Sequence, residues 1–588
     1  MKFKSQYIIV IGTLLAIHFS YSQKKDENIG TEVVNVVKPY TPTISDAFKV
    51  KETPSFEDEE TANKENINYN IFSFPVASTF TPSKGKAAGV DKSAQEKLFS
   101  NYLTLAAGNF GTVNAELFIT QNISNNEYFG GMLRHKSSQG GIEDIVLDDK
   151  YFDTALDLTY GSKSRDLSWN ADLGYQNQSY NWYGLNPILY ESFAQTDQDA
   201  FIEDIDEKQT YQTLTVGGRL SLGESIFKEG TVKFTRFWDK FSSGENRFYA
   251  KPSLEFDVME EKIKANFIFD YLNGSFAKDY FAVDAIKYGY TNIGFQPSFQ
   301  INKEDLSINL GATFVYSAAS NGGESKFFIY PNVTASYKVV GDLMIAYAGA
   351  EGNLKQNSYR EFVQENFFVS PTLNIAPTDQ KAEIYVGLKG KLANSIGYNI
   401  RGSFKNEDNK ALYKNNINDF FPVNDEGYSY GNSFDVVYDN IKTVSFYGEL
   451  KADFSKNVSF GINGTFSSFA TGDQEEAWNL PGLNIAANLD FNITPKWYAG
   501  TKLFFVGERK DITFIDDLTP SLTINFAPEV KTLDSYFDLN AHIGYKHNER
   551  LTFFLRGNNL AGKEYQRWIN YPVQGLQVMI GGNYKFDF

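Results

Sequence analysis

One regularity dominates the sequence: from about residue 97 to the last residue, stretches of 9 to 15 residues alternate apolar and polar side chains. A period of two is the spacing at which a β-strand presents its side chains to opposite faces. Residues 443–454 illustrate it. One face carries Val444, Phe446, Gly448, Leu450, Ala452 and Phe454, and the other carries Ser445, Tyr447, Glu449, Lys451 and Asp453. The alternation predicts an all-β chain whose strands each have one apolar face.

The length of these stretches separates two kinds of β protein. A soluble sandwich shows the same alternation, but soluble strands average about five or six residues. Tilted strands that cross a bilayer need about 9 to 11 residues within the hydrocarbon, with aromatic side chains where they leave it. The stretches here are of the longer kind, many end in aromatics such as Trp497 and Tyr498, and the chain holds 51 Phe and 36 Tyr residues. The sequence therefore predicts a transmembrane antiparallel β-barrel.

Short and long connections alternate along the barrel region, residues 97–588. Ten short turns are predicted, at residues 124–126, 164–166, 224–228, 260–261, 302–304, 340–342, 393–395, 455–457, 494–496 and 548–550. Consecutive turns enclose two strands and a longer connection, and the longest connections lie near residues 182–207, 352–379, 408–441 and 508–531. Including the outermost hairpins, about 22 strands result, with short turns toward the periplasm and long loops toward the medium. Side chains alone do not fill so wide a lumen, so the barrel is either plugged or conducts.

Residues 1–22 are predicted to be a secretory signal peptide. Lys2 and Lys4 form a basic start, an apolar stretch follows over residues 7–19, and Ser20 and Ser22 offer small residues for cleavage before Gln23. A transmembrane anchor is the alternative, but this stretch is too short for a hydrocarbon core about 30 Å thick. The predicted location is the outer membrane of a Gram-negative bacterium.

Residues 23–96 differ in texture from the barrel region. They hold five prolines (Pro39, Pro42, Pro54, Pro75 and Pro82) and an acidic run at residues 57–60, which is typical of an extended segment in the periplasm or the lumen. Two β-prone pieces, residues 31–37 and 67–72, are suited to sheet-edge pairing. Because the periplasmic turns are too short to close the inner mouth, we expect an ordered part of this segment to enter or cap the lumen.

Charge and residue usage exclude several functions. The formal net charge is −17, whereas binding to a nucleic-acid backbone depends on clustered basic residues. The absence of cysteine excludes disulfides and a thiol nucleophile. His542 and His547 are predicted to lie at the periplasmic end of one hairpin, and His135 lies far from them in sequence. A surface or lumen position is favoured over catalysis, so the protein is predicted not to be an enzyme.

Two acidic clusters in the loops leave two readings open. The clusters are Glu143, Asp144, Asp148 and Asp149, and Glu203, Asp204, Asp206 and Glu207. Carboxylate oxygens are ligands that Ca²⁺ prefers, but the EF-hand spacing is absent. Solvated acidic loops are therefore favoured over calcium sites, and no cofactor or metal is predicted.

The C-terminal region carries a family resemblance. Val578, Ile580, Tyr584, Phe586 and Phe588 share one face of the last strand, and Tyr584, Phe586 and Phe588 resemble the signal that the outer-membrane assembly machinery reads during insertion. Upstream, residues 555–565 include an Asn-Leu pair followed by a Tyr, and they resemble the penultimate strand and loop of TonB-dependent receptors.

The N-terminal region departs from that family. TonB-dependent receptors carry a large globular plug, whereas 74 residues separate Gln23 from the first strand here. The chain looks most like the plugless TonB-receptor-like barrels of Bacteroidota. The run Thr31, Glu32, Val33, Val34, Asn35, Val36 and Val37 is similar to a TonB box, although an unrelated docking strand or linker has the same composition.

Two functions follow from the resemblance and the architecture. The first is passage or uptake of a solute across the outer membrane, with outer-membrane lipid and either TonB or a periplasmic protein as partners. The alternative is a non-transporting accessory barrel subunit of an outer-membrane assembly or export complex. The missing plug and the Pro-rich tail favour the second, and the receptor-like C-terminus and wide lumen favour the first.

Overall fold

The computed structural model describes residues 98–191, 194–258, 261–281, 283–320, 323–418, 426–516 and 526–588. These residues form a closed antiparallel barrel of 22 strands, which confirms the predicted fold and strand number. The signal peptide, the segment 23–96 with its TonB-box-like run, and the β-prone piece 67–72 lie outside the described residues. The domain boundaries at residues 22 and 96 therefore stay predictions.

The elements follow one another in simple up-and-down order. The barrel strands are β1 (Asn101–Gly108), β2 (Val113–Asn122), β3 (Glu127–Ser138), β4 (Tyr151–Lys163), β5 (Leu167–Asn181), β6 (Lys208–Leu222), β7 (Phe227–Asp239), β8 (Gly244–Val258), β9 (Glu261–Phe276), β10 (Ile286–Lys303), β11 (Leu306–Ala319), β12 (Lys326–Val340), β13 (Met344–Lys355), β14 (Thr378–Ala393), β15 (Ile396–Asn415), β16 (Phe434–Ser455), β17 (Val458–Ala470), β18 (Leu483–Asn492), β19 (Trp497–Val506), β22 (Tyr536–Lys546), β23 (Leu551–Asn558) and β26 (Gln577–Phe586). Two small hairpins lie outside the wall, β20 (Arg509–Asp516) with β21 (Phe526–Leu533) and β24 (Gln566–Trp568) with β25 (Tyr571–Pro572). Helices α1 (Gln195–Glu203) and α2 (Tyr359–Glu365) and a 3₁₀ turn (Pro187–Leu189) lie in loops.

The first strand closes the ring by pairing with the last. In β1, Leu103 lies opposite Leu117 of β2 on one side and opposite Tyr584 of β26 on the other. The wall also continues directly from β19 to β22, because the hairpin β20–β21 pairs only with itself. Each barrel strand thus has two neighbours, and closure removes the unpaired edges that an open sheet exposes.

The predicted connections agree with the structure at one end of the barrel and partly at the other. Nine of the ten predicted short turns coincide with the junction of two consecutive strands, several overlapping a strand end by one or two residues, and the tenth includes a residue that is not described. At the opposite, long-loop end, the predicted loop 408–441 is wrong in extent. The strands β15 and β16 continue to Asn415 and from Phe434, so the loop spans residues 416–433. The ladder extends because Lys410 to Asn415 pair with Asp439 to Phe434 after an irregularity in register.

The two faces of the wall are those predicted from the alternation. Phe446 is 62% exposed on the outer face, while Ser445 faces the lumen and shares a hydrogen bond of 2.8 Å with Ser467. Other exposed apolar side chains of the outer face include Val232, Ile293, Val386, Ile400 and Ile580. An apolar band of this extent is expected against lipid rather than water. Neither α1 nor α2 has the length and apolar character that a membrane-crossing helix needs, and the same holds for the rest of the described residues.

The last strand yields a test of the predicted assembly signal. Phe588 is 81% exposed, and its ring lies 5.5 Å from that of Phe586, which in turn stacks on Tyr584. We expect Phe588→Ser to lower the assembled fraction of the barrel without changing synthesis, because β26 is the strand that closes the ring. The assembled fraction is measured by heat-modifiable migration on gels. Phe454→Ser is the matched control, since it removes another largely exposed phenylalanine, which lies in β16, and equal assembly of both variants would contradict the prediction.

Candidate functional site

The connection between β13 and β14 enters the lumen at the long-loop end. We call residues 356–377 the cap loop. Ser358 caps the start of its helix α2, and the Ser358 Oγ accepts a hydrogen bond of 3.2 Å from the backbone N–H of Glu361. This Ser-x-x-Glu arrangement is a capping-box sequence and starts the helix. Tyr359, Phe362 and Val363 are buried and share one face, so the short helix packs by that face.

The cap loop packs into an aromatic core that spans the mouth of the barrel. The wall contributes Tyr211, Phe237, Leu272, Phe276, Tyr288, Tyr413, Phe434 and Val436, and other loops contribute Leu533, Trp568, Ile569 and Tyr571. Tyr180 stacks on Phe367 at 3.8 Å, and Phe368 stacks on Tyr571 at 3.7 Å. Burial of large rings in such pairs is the main source of stability for this core.

Buried charges attach the cap loop to one side of the wall. Arg247 donates to both carboxylate oxygens of Asp270 at 2.8 and 2.7 Å, and its third contact is Glu361 at 2.8 Å. Glu245 accepts a hydrogen bond of 2.7 Å from the backbone N–H of Tyr359 at the start of α2. A carboxylate at a helix N-terminus also interacts favourably with the helix dipole.

Tyr359 joins this side of the wall through its hydroxyl as well. The hydroxyl donates to Asp239 Oδ2 at 2.8 Å. Burial, and next the nearby Asp239 carboxylate, raises the pKa of Tyr359 well above its usual value, so the phenol stays protonated and remains a donor. The cap loop is therefore held by a helix start, a phenol and an arginine.

The hairpin β20–β21 covers another part of the mouth through a buried aspartate. Asp511 is fully buried and accepts hydrogen bonds from the Asn479 side chain at 2.7 Å and from the backbone N–H groups of Asn415 and Ile512. Burial raises the pKa of Asp511 from 3.8 to about 6, although these hydrogen bonds act in the opposite direction.

Docking of this hairpin is expected to depend on pH. Because the pKa of Asp511 is raised by folding, its contribution to stability is fully present below pH 3.8 and is lost as the pH rises through about 6. We expect hydrogen exchange of residues 509–516 and 526–533 to slow, relative to the Asp511→Asn variant at the same pH, when the pH falls from 7.5 to 5. If the ratio of the hydrogen-exchange rates of the two proteins does not change with pH, Asp511 is not the group that makes docking of the hairpin depend on pH.

A cavity of about 440 Å³ lies beside the cap loop at the long-loop end. It is bordered by the ends of β3, β4 and β5 on one side and by β22, β23 and residues 565–577 on the other. Its charged and amide side chains include Lys136, Asp149, Glu365, Asp538, Asn559 and Arg567, and its rings include Tyr180, Phe367, Phe368, Tyr565 and Tyr571. Concave sites of this volume with a few polar groups among aromatics are typical of small-molecule binding.

The residues singled out from the sequence have different positions. His135 contacts Thr154 at 2.8 Å on the outer face, His542 lies near Tyr498 in the lumen, and His547 is at the short-turn end, so the histidines do not converge. Asp149 accepts from the backbone N–H groups of Gly141 and Ile142. Within the described part of the chain, no three His, Asp or Glu side chains are grouped closely enough to hold a metal.

The segment that carries the family resemblance, residues 555–565, reaches the cavity. Asn559 and Tyr565 both line it, and the Tyr565 hydroxyl donates to Asp538 at 2.9 Å. The sequence predicted a long loop near residues 352–379, which contains the cap loop, but it did not predict helix α2 or the anchors Glu245 and Arg247. The Ser358 and Glu361 capping box, followed by apolar residues at helical spacing within a long loop, is the signal that marks α2.

Known structures share this fold. The ferripyoverdine receptor of the outer membrane of Pseudomonas aeruginosa aligns with a TM-score of 0.61 and 12% identity over 84% of this chain and 72% of the receptor. The ferric-catecholate import receptor Fiu from E. coli K12 aligns with a TM-score of 0.59 and 9% identity, over 84% of this chain and 83% of Fiu. The FrpB iron transporter from Neisseria meningitidis aligns with a TM-score of 0.61 and 10% identity, over 84% of this chain and 82% of the transporter.

Because the sequence identities are low, these similarities are evidence for the fold alone. The expected similarity to the barrel of TonB-dependent receptors is confirmed at that level. The sequence matches no protein-family profile and no curated protein.

Proposed function

We propose that the protein lies in the outer membrane of a Gram-negative bacterium and takes up a solute through its barrel. The observation that carries this proposal is a closed 22-strand barrel, similar in fold to outer-membrane iron receptors, whose mouth holds an aromatic core beside a cavity. The long-loop end faces the medium, because outer-membrane barrels have short periplasmic turns. The solute binds in the cavity and reaches the lumen when the cap loop moves.

In the same proposal, residues 23–96 close the inner mouth of the barrel. The short-turn end has only brief connections, so nothing described at that end reaches across the lumen. In this proposal the chain is a plugless member of the TonB-receptor-like barrels, and part of residues 23–96 occupies the lumen in place of a plug. Thr31 to Val37 pair with TonB as an added strand, the assembly machinery inserts the barrel, and outer-membrane lipid surrounds it.

The accessory-subunit alternative has no support from the comparisons. The similar structures are receptors and transporters by their own descriptions, and an enzymatic role is not indicated by them. Solute uptake is therefore the function that the fold and the cavity support best.

Uptake is tested by the depletion of solutes from the medium. Cells that express the full chain and cells that lack it are grown in a complex medium, and mass spectrometry compares what each removes. We expect one class of small solutes to be depleted only by the expressing cells, and a chain lacking residues 31–37 to lose that depletion. A chain lacking residues 44–50 is the length-matched control. Identical media from expressing and non-expressing cells would contradict uptake.

A further inference from the structure

We propose that the cavity binds a short peptide with a free amino terminus and a free carboxylate. This inference rests on the proposed uptake function and names its substrate class. It is argued from groups at two ends of the cavity that find no partner in the described part of the protein.

One end presents hydrogen-bond acceptors. Asn559 is 4% exposed, and its Nδ2 donates to the backbone carbonyls of Lys563 at 2.8 Å and Gln574 at 3.1 Å. These two bonds fix the orientation of the amide, and its Oδ1 accepts no hydrogen bond from any described residue. Asp538 is similar, since Oδ2 accepts from Tyr565 while Oδ1 is buried without a donor among the residues described.

Buried acceptors of this kind require donors. Leaving such an oxygen unpaired is unfavourable, and more so when it belongs to a carboxylate. A protonated amine supplies three donors and the complementary charge, which are what acceptors such as Asp538 Oδ1 and Asn559 Oδ1 lack. A neutral or anionic group offers less to this pair of oxygens.

The other end presents a cation. Lys136 faces the lumen near the end of β3 and lines the cavity, and no carboxylate of the described ranges lies within ion-pair distance of its ammonium. The neighbouring carboxylate of Asp153 is engaged by the side chains of Gln176 and Gln178. A ligand carboxylate is the group that pairs with Lys136.

The separation of the two ends sets the length of the ligand. From β22 to β3 the wall passes β23, β26, β1 and β2, which is five steps of about 4.8 Å, or roughly 24 Å along the wall. The lysine side chain covers part of that distance. An extended peptide spans about 3.3–3.6 Å per residue, so roughly three to five residues bridge the rest. The stacked pairs around Phe367 and Phe368 give apolar surface for its side chains.

The test measures binding to the purified full chain in detergent. The probe is the tetrapeptide Ala-Tyr-Phe-Ala with free termini, compared by calorimetry with its N-acetylated and its C-amidated forms. We expect each modification to weaken binding by roughly 10- to 100-fold, as charged hydrogen bonds of about 1.5–3 kcal/mol imply. In Asp538→Asn, acetylation weakens binding by a smaller factor than in the unchanged protein, and in Lys136→Met, amidation weakens binding by a smaller factor. Lys251→Met, which changes a lumen lysine outside the cavity, is the matched control.

The comparison of the free, acetylated and amidated peptides uses the unchanged protein. Its result therefore does not depend on whether a variant folds. Absence of binding by the free peptide, or equal affinity for the free and both capped forms, would overturn the proposal. Its failure is distinguishable from failure of uptake, because a protein that depletes a solute from the medium but does not bind the free peptide would uphold transport and exclude the peptide ligand.

Discussion

Replacing Arg247 by methionine is expected to release the cap loop from the wall. The side chains of Arg247 and its partner Asp270 are 23% and 9% exposed, so the substitution leaves a buried carboxylate without its counter-charge. Breaking a buried pair in this way costs about 3–5 kcal/mol. Glu361 of α2 loses its contact with the wall at the same time. We therefore expect the released state of the loop to become about 100-fold more populated or more.

The release is measured with a single thiol. The chain contains no cysteine, so Ser370→Cys places the only reactive thiol at a position that is fully buried in the cap loop. The rate of maleimide labelling reports how often the loop leaves its place. The control is Arg134→Met, whose ion pair with Asp157 is about half exposed and is worth about 1 kcal/mol or less. Equal labelling rates in the two variants would contradict the anchoring role of Arg247.

Removing the cap loop is expected to open the barrel only when the N-terminal segment is removed as well. Lys355 and Thr378 are paired at the ends of β13 and β14, so an Asn-Gly turn can replace residues 356–377 without moving either strand. If residues 23–96 close the inner mouth as proposed, the barrel has two closures in series, and conduction is blocked as long as either one is in place. Barrels of 16 to 18 strands already leave an aqueous channel, so the doubly shortened protein has room to conduct.

Four proteins in planar bilayers test this expectation. They are the full chain, a chain lacking residues 23–90, a chain with the turn in place of the cap loop, and the combination. We expect single-channel steps from the combination and none from the others. If the chain without the cap loop conducts as well as the combination, residues 23–96 do not occupy the lumen. If the chain lacking only residues 23–90 conducts, the long-loop end is not closed by the cap loop.

Much of the barrel was predictable because its rules are local. The alternation in residues 443–454 follows from backbone geometry, and the strand length follows from the thickness of the hydrocarbon. The predicted loop 408–441 is too long because neither the alternation nor the hydrocarbon thickness limits the strands there. Beyond the apolar band, β15 and β16 keep pairing through polar residues such as Lys414 and Asp435, and no alternation marks that ladder.

The sequence by itself determined the barrel, its strand number and the apolar face of each strand. Only the tertiary structure decided which loop fills the mouth and which polar groups face the cavity. Phe368 stacks on Tyr571, and Gln574 donates to Ser138, which is 436 residues away along the chain. These contacts arise because closure of the ring brings β26 beside β1 and turns the loops toward one another across the mouth. The spacing of residues along the chain does not predict such contacts, because they form only when the barrel closes.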